Sequence, residues 1–376
     1  MPKGIGLKNL QRILTNQRLR RNLAYEDPLW FSLIYLRHHF EHPFAPFHME
    51  MFHIIRQPKY RFVAMMAFRE SGKSTIMNMV NVLWSILGKP QKKLAVVMSQ
   101  TQEQAKNQFG NIKDELVANE LLREDFGPYA ENEAEWKKMS LELEYHGSKI
   151  LSVSLEQSVR GFKYHQHRPD LIVCDDIEDY AMEAADRPSP YSRFMSEVMT
   201  LGNSETKIFV LGNLISKHSF LLQLKKEIEA KKIGGIFRAY PLLDDEKRIL
   251  WPEKFPSLGH IEELKKRFTR KVWEREFLLK AVTISRQTAL MRIHLEEGIE
   301  KKEKPDQQPD PPLQTALIPQ MAEFKISTPL TMNETPLDFL NEDDPRYLRY
   351  FGNLDPDELL QSHENCPTDD ETPESQ

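Results

Sequence analysis

Apolar residues along the chain gather in short unbroken runs, separated by stretches in which they recur at helical spacing. The runs are Phe62–Met66, Lys93–Ser99, Ile150–Val153, Leu171–Cys174, Lys207–Leu211 and Phe237–Tyr240. Runs that are this short and continuous predict strands buried on both faces. Between them, Thr75–Leu87 is helix-compatible, Thr101–Phe126 is long and amphipathic, and a charged helix is expected from about Ile261 to Leu279. Strands alternating with helices predict an α/β domain, with a mainly parallel central sheet flanked by helices on both faces. No internal repeat is visible.

The first run leads into Ala67-Phe68-Arg69-Glu70-Ser71-Gly72-Lys73-Ser74-Thr75. A strand, a Gly-Lys-Ser turn and then a helix is the context of a phosphate-binding loop. Gly72 lets the backbone approach a phosphate, and the amides at the helix start point toward the anion. Lys73 is expected to reach the β- and γ-phosphates of ATP, with Ser71 and Thr75 beside it and the Ser74 hydroxyl on Mg²⁺. Two departures stand out. Ala67 holds the place where such loops usually open with glycine, and a charged residue, Arg69, stands inside the loop.

About a hundred residues later, Leu171-Ile172-Val173-Cys174 ends in Asp175-Asp176-Ile177-Glu178-Asp179. Carboxylates at the C-terminal end of a buried parallel strand face the crevice where ligands bind in open α/β sheets. Asp175 is placed to hold Mg²⁺, and a second acid can orient and deprotonate an attacking water. Asp176 and Glu178 both qualify; Asp176 adjoins the metal-site residue and is the first choice.

Charge divides the chain. The net charge of -5 conceals roughly 17 acids against 6 bases from residue 301 onward, about -11, and about +6 in residues 1–300. Nearly half of the 24 prolines also fall in that last part. Such composition buries too little apolar surface to offset its ordering entropy, so residues 286–376 are expected to be a largely disordered acidic tail. Residues 1–24 form a basic arm, with Lys3, Lys8, Arg12, Arg18, Arg20 and Arg21 and no acid in the first 22 positions. It reads either as a contact for nucleic acid or an acidic partner, or as a solvated helix. Residues 25–285 are then the ATPase domain. His38, His39, His42, His48 and His53 crowd an aromatic-rich segment, which reads as core packing with surface histidines because few acids or thiolates accompany them. Cys174 in a strand and Cys366 in the tail argue against a disulfide framework or a zinc cluster and point to a reducing cytoplasm. No apolar stretch is long enough to span a membrane and the basic N-terminus carries no signal-peptide pattern.

Taken together, these motifs resemble the large subunit of bacteriophage terminases. The resemblance rests on Arg69 three residues before Gly-Lys-Ser, on Arg160-Gly161 followed by Arg168-Pro169-Asp170, on the paired acids ending Leu171–Asp176, and on Leu211-Gly212-Asn213, which is similar to the family's coupling motif. It covers roughly residues 25–280. It implies a P-loop NTPase of the additional-strand type that hydrolyses ATP to move double-stranded DNA into a procapsid. Arg69 would be an arginine finger supplied in cis, Asn213 would sense the γ-phosphate, and His48 falls about where the family holds adenine. The implied partners are double-stranded DNA, the terminase small subunit, the portal protein, a homo-oligomeric ring and a separate nuclease subunit. The implied place is the host cytoplasm and, transiently, the procapsid portal. The family usually continues into a nuclease with separated carboxylates on a packed sheet. Here the acids beyond the ATPase region lie in Pro-rich sequence, so no nuclease activity is expected, whether that domain is encoded separately, lost or outside this reading frame.

Two other classes compete. A small-molecule kinase also uses a P-loop, but it usually keeps the opening glycine and adds an arginine-bearing lid. A non-hydrolysing DNA- or capsid-binding scaffold with a relict nucleotide site would not need Lys73, Ser74 and Asp175 intact.

Overall fold

Alternate residues of each central strand enter opposite apolar layers, as period-two side-chain geometry requires. In β1 (Phe62–Ala67), Val63 and Met65 join one layer while Ala64 and Met66 join the other. Leu171 and Val173 of β5 (Leu171–Asp175) face the first layer, and Ile172 and Cys174 the second. Both sheet faces are therefore covered, which is why these runs are apolar without alternation. The computed structural model describes residues 13–131, 133, 136, 139–155, 161–178 and 190–280. Lys3, Lys8, Arg12, Arg160 and the whole of 286–376 lie outside the described residues.

The remaining strands are β2 (Leu94–Ser99), β3 (Ser140–Leu143), β4 (Ser148–Ser154), β6 (Lys207–Gly212) and β7 (Ile236–Tyr240). They form one seven-stranded sheet in the order β3-β4-β2-β5-β6-β1-β7. Every pair is parallel except β3 with β4. The four-residue edge strand β3 is absent from the sequence reading, being too short for its alternation to signal. The order matters for the site. β6 lies between the strand that enters the Gly-Lys-Ser loop and the strand that ends in the paired acids, so the three C-terminal ends open on one crevice.

The expected helix over 101–126 is two, α5 (Gln102–Ala118) and α6 (Glu120–Phe126). The break falls at Asn119, whose extended backbone and side chain, accepting from Leu122 N–H at 3.0 Å, start the second helix. The charged C-terminal helix is likewise two, α8 (Leu258–Lys265) and α9 (Arg270–Glu276), with Thr269 capping the second. Beyond the Gly-Lys-Ser loop, a wide π-helical stretch, Thr75–Val80, precedes α4 (Asn81–Leu87).

At the N-terminal end, α1 (Gln17–Glu26) and α2 (Pro28–Tyr35) pack on the domain. Arg18 and Arg21 are exposed, but Arg20 is turned inward, where it grips Asp125 with two hydrogen bonds of 2.6 and 2.8 Å. At least this one cation of the basic arm serves the core. No helix among the described residues is long and apolar enough to cross a membrane.

Candidate nucleotide site

The chain leaves β1 still extended at Ala67, paired with Tyr240 of β7. A residue in strand conformation has no need of glycine, which accounts for alanine at that place. Left-handed backbone comes later, at Glu70 (φ 63°) and Gly72 (φ 80°). A Cβ on Gly72 would meet only His48 Nε2, at 3.6 Å, so the backbone conformation, not crowding, calls for glycine.

Four elements brace this loop. Phe68 N–H donates to the Tyr240 carbonyl at 2.9 Å and Arg69 N–H to that of Glu276 at 2.8 Å. Lys254 Nζ donates to the Glu70 carbonyl at 3.0 Å. His48, on α3 (Pro46–Arg56), reaches the Ser71 carbonyl with Nε2 at 2.7 Å. Its Nδ1 accepts from Ala45 N–H at 2.9 Å, so the ring proton sits on Nε2. Burial pushes this imidazole down to about 3, only partly opposed by its bond to Ser71, and the ring stays neutral. It is buried between Phe47 and Trp251. Both ring nitrogens are committed within the chain, so His48 supports the loop from behind and has none left for a base.

The opposite wall is the end of β5. Asp175 is 3% exposed; its Oδ2 accepts from Asn78 Nδ2 at 2.6 Å and Gln108 Nε2 at 3.4 Å. Its Oδ1, together with Asn78 Oδ1 and Ser71 Oγ, is buried with no hydrogen-bond partner among the described residues. Asp176 adopts φ 47° while its N–H keeps the sheet bond to the Leu211 carbonyl at 3.0 Å. Its carboxylate forms an ion pair with Lys73 Nζ at 3.8 Å. Partial desolvation on the cleft floor raises the Asp176 carboxyl to about 6; Lys73 and the Asn213 N–H oppose the rise, and Asp175 and Glu276 add to it.

Asn213 follows β6 and ties the two walls together. Its backbone N–H serves Asp176, and its side-chain Nδ2 donates to Glu276 Oε2 at 2.8 Å. Glu276 also takes Arg275 on Oε1 at 2.9 Å and, through its carbonyl, holds the loop at Arg69. Gly212 permits this closeness: a Cβ there would stand 2.9 Å from Leu221 Cδ1 and 3.4 Å from Asp176 Oδ1.

Glu178 goes elsewhere. Its oxygens accept from Ser219 Oγ at 2.6 Å and Phe220 N–H at 2.8 Å, at the start of α7 (Phe220–Glu229). A carboxylate there complements the helix N-terminus. Of the two acids considered for positioning water, Asp176 alone lines the cleft. Arg69 is exposed, and its guanidinium has no ion-pair or hydrogen-bond partner among the described residues.

The cleft measures about 390 Å³, with Ser74, Thr75, Asn78, Gln108, Asp175 and Asp176 on its wall. The donor set fits a hard cation: carboxylate, hydroxyl and amide oxygens, one of them a buried carboxylate oxygen with no partner among the described residues. The loop amides and Lys73 fit phosphate oxygens. Sequence reasoning missed Asn78, Gln108, Lys254 and Glu276. A capping-box reading of Thr101 and Gln104 would have fixed the phase of α5, and with it Gln108; nothing local marks the other three.

No protein-family model and no curated protein matches the chain. Among solved structures, the chain is similar to the large terminase of bacteriophage HK97 at 15% identity and TM-score 0.40, over 54% of this chain and 40% of that one. It therefore spans well under half the length of the HK97 protein. It is similar to the large terminase ATPase domain of Thermus phage P74-26 at 15% identity and TM-score 0.45, over 69% of this chain and 99% of that one. A further similarity is to the Phi-28 gp11 DNA packaging motor, at 11% identity and TM-score 0.32, over 60% and 66%.

Proposed function

We propose that the chain is the ATP-hydrolysing motor subunit of a viral DNA-packaging terminase, coupling turnover to movement of double-stranded DNA. The observation that carries the hydrolytic part is the ion pair of Lys73 with Asp176 at 3.8 Å, beside a cleft that Asp176 lines with buried Asp175. Lys73 and the loop amides bind the β- and γ-phosphates. Ser74 and Asp175 hold Mg²⁺, which when bound neutralises charge on the phosphate oxygens. Asp176 orients the attacking water and takes its proton, a task suited to a carboxyl lifted toward neutrality. Arg69, exposed and without a side-chain partner among the described residues, turns to the γ-phosphate as charge builds there. Loss of that phosphate changes the charge facing Asp176, and its bond to the Asn213 N–H carries the change to Glu276 and α9. The DNA, portal and small-subunit partners rest on the motif resemblance.

Phosphate release by the full chain with Mg²⁺, with and without linear double-stranded DNA, tests the reading. Release stimulated by DNA and abolished in Lys73→Ala is expected, with no nicking of plasmid in Mg²⁺ or Mn²⁺. Phosphate transferred to an acceptor in place of free phosphate would favour the kinase. Metal-dependent cleavage that copurifies with the chain would contradict the absence of a nuclease.

A further inference from the structure

His38, His39 and Glu115 converge beside the cleft and play no part in the ATP chemistry. The two histidines are consecutive in a 3-10 turn, Arg37–His39, with ring centroids 4.3 Å apart. Both bring Nε2 to the same atom, Oε1 of Glu115 on α5, at 2.8 and 2.7 Å. The three ligand-type atoms all lie within 4.8 Å of one another. Glu115 is only 8% exposed, and its other oxygen accepts from Asn119 Nδ2 at 2.9 Å. That amide also donates to the Tyr35 carbonyl at 2.7 Å, so the carboxylate is aimed from behind. The expectation of surface histidines without acids thus missed Glu115, 76 residues away from His39.

Folding alone gives little reason for this convergence. The side chains of His38 and His39 are 48% and 28% exposed, so water could serve either ring. Yet both imidazoles share one oxygen of one oriented carboxylate. We propose that His38, His39 and Glu115 form a binding site for a divalent transition-metal ion of the zinc class. Two imidazoles and a carboxylate suit Zn²⁺ or Co²⁺, while Mg²⁺ prefers oxygen and water. On metal binding each imidazole gives up the Nε2 proton that it donates to Glu115 and coordinates through the Nε2 lone pair, with its remaining proton on Nδ1. The fourth position is left to water. Asn119 orients the carboxylate ligand, as partners behind metal ligands commonly do. His39 also stands on the cleft wall with Ser74 and Asn78. An ion here would clamp the turn after α2 to α5, the helix that carries Gln108 against Asp175.

The test is Co²⁺ titration of the metal-stripped full chain, read by visible absorption. A single ion per chain with the strong bands of four- or five-fold coordination is expected, displaced by Zn²⁺ and indifferent to excess Mg²⁺. His38→Ala, at an exposed position that tolerates truncation, and Glu115→Gln should each abolish those bands. Asn119→Ser keeps a helix-capping side chain but loses the amide donor, and should weaken binding roughly 10–100-fold. His42→Ala should bind as the wild type does. Only the weak spectrum of hydrated Co²⁺ with the wild type would overturn the proposal. So would undiminished binding by His38→Ala, or loss of binding in His42→Ala.

Discussion

Asp125 and Asp175 are equally deep, 2% and 3% exposed, yet their surroundings differ in kind. Asp125 is closed. Arg20 takes both oxygens, at 2.8 and 2.6 Å, and the Tyr35 hydroxyl adds a third bond at 2.6 Å. Asp175 is open. Its neighbours are neutral amides on one oxygen, and the other oxygen has no partner among the described residues. A buried carboxylate met by a bidentate cation is complete within the chain, whereas one met only by amides carries charge suited to a divalent cation. Burial and residue type do not separate a carboxylate paired with a cation from one that is not; the partners do.

The cleft side of this contrast carries the larger expected effects. Arg69→Ala should lower the turnover number by about 10³–10⁵ while ATP binding persists, because the guanidinium acts on charge that develops in the transition state. A defect confined to KM would remove Arg69 from catalysis. Asp175→Asn should cut phosphate release by roughly 10²–10³ or more, on the scale of losing one preorganised charge contact. Its denaturation midpoint should hold or rise, since an uncompensated buried charge is removed. A midpoint that falls sharply would make Asp175 structural and erase the contrast.

Arg20→Ala should do the reverse. It leaves Asp125 buried without its cation and should destabilise the chain by about 3–5 kcal/mol in chemical denaturation. Activity per folded molecule should stay unchanged. The smallest expected effect concerns Glu276. Asp176 must be ionised to accept a proton, so kcat/KM should fall as pH drops through about 6. Glu276 raises that carboxyl, so Glu276→Gln should move the acid limb to lower pH. An unmoved limb would show that the limb belongs to another group.

The strands that build the cleft were readable because burial on both faces writes continuous apolar runs. The candidate residues at their ends were readable as positions because Lys73, Ser74, Asp175 and Asp176 follow those runs directly. What braces the site was not. Glu276 meets Asn213 across 63 residues and Lys254 meets the loop across 184, and neither leaves a local pattern. His48 was found as a position but not as a role, since its function depends on which backbone carbonyl lies within reach of Nε2. Glu178 shows the converse: adjacency to the paired acids suggested chemistry, and the chain uses it at the start of a helix.

The most direct measurement sets Asp176→Asn beside Glu178→Gln, comparing ATP binding and phosphate release in each with the wild type. Asp176→Asn should bind ATP nearly as the wild type does and release almost no phosphate, while Glu178→Gln, if less stable, should still turn over. Release near the wild-type rate by Asp176→Asn, or a block found only in Glu178→Gln, would contradict the assignment of hydrolysis to this cleft wall.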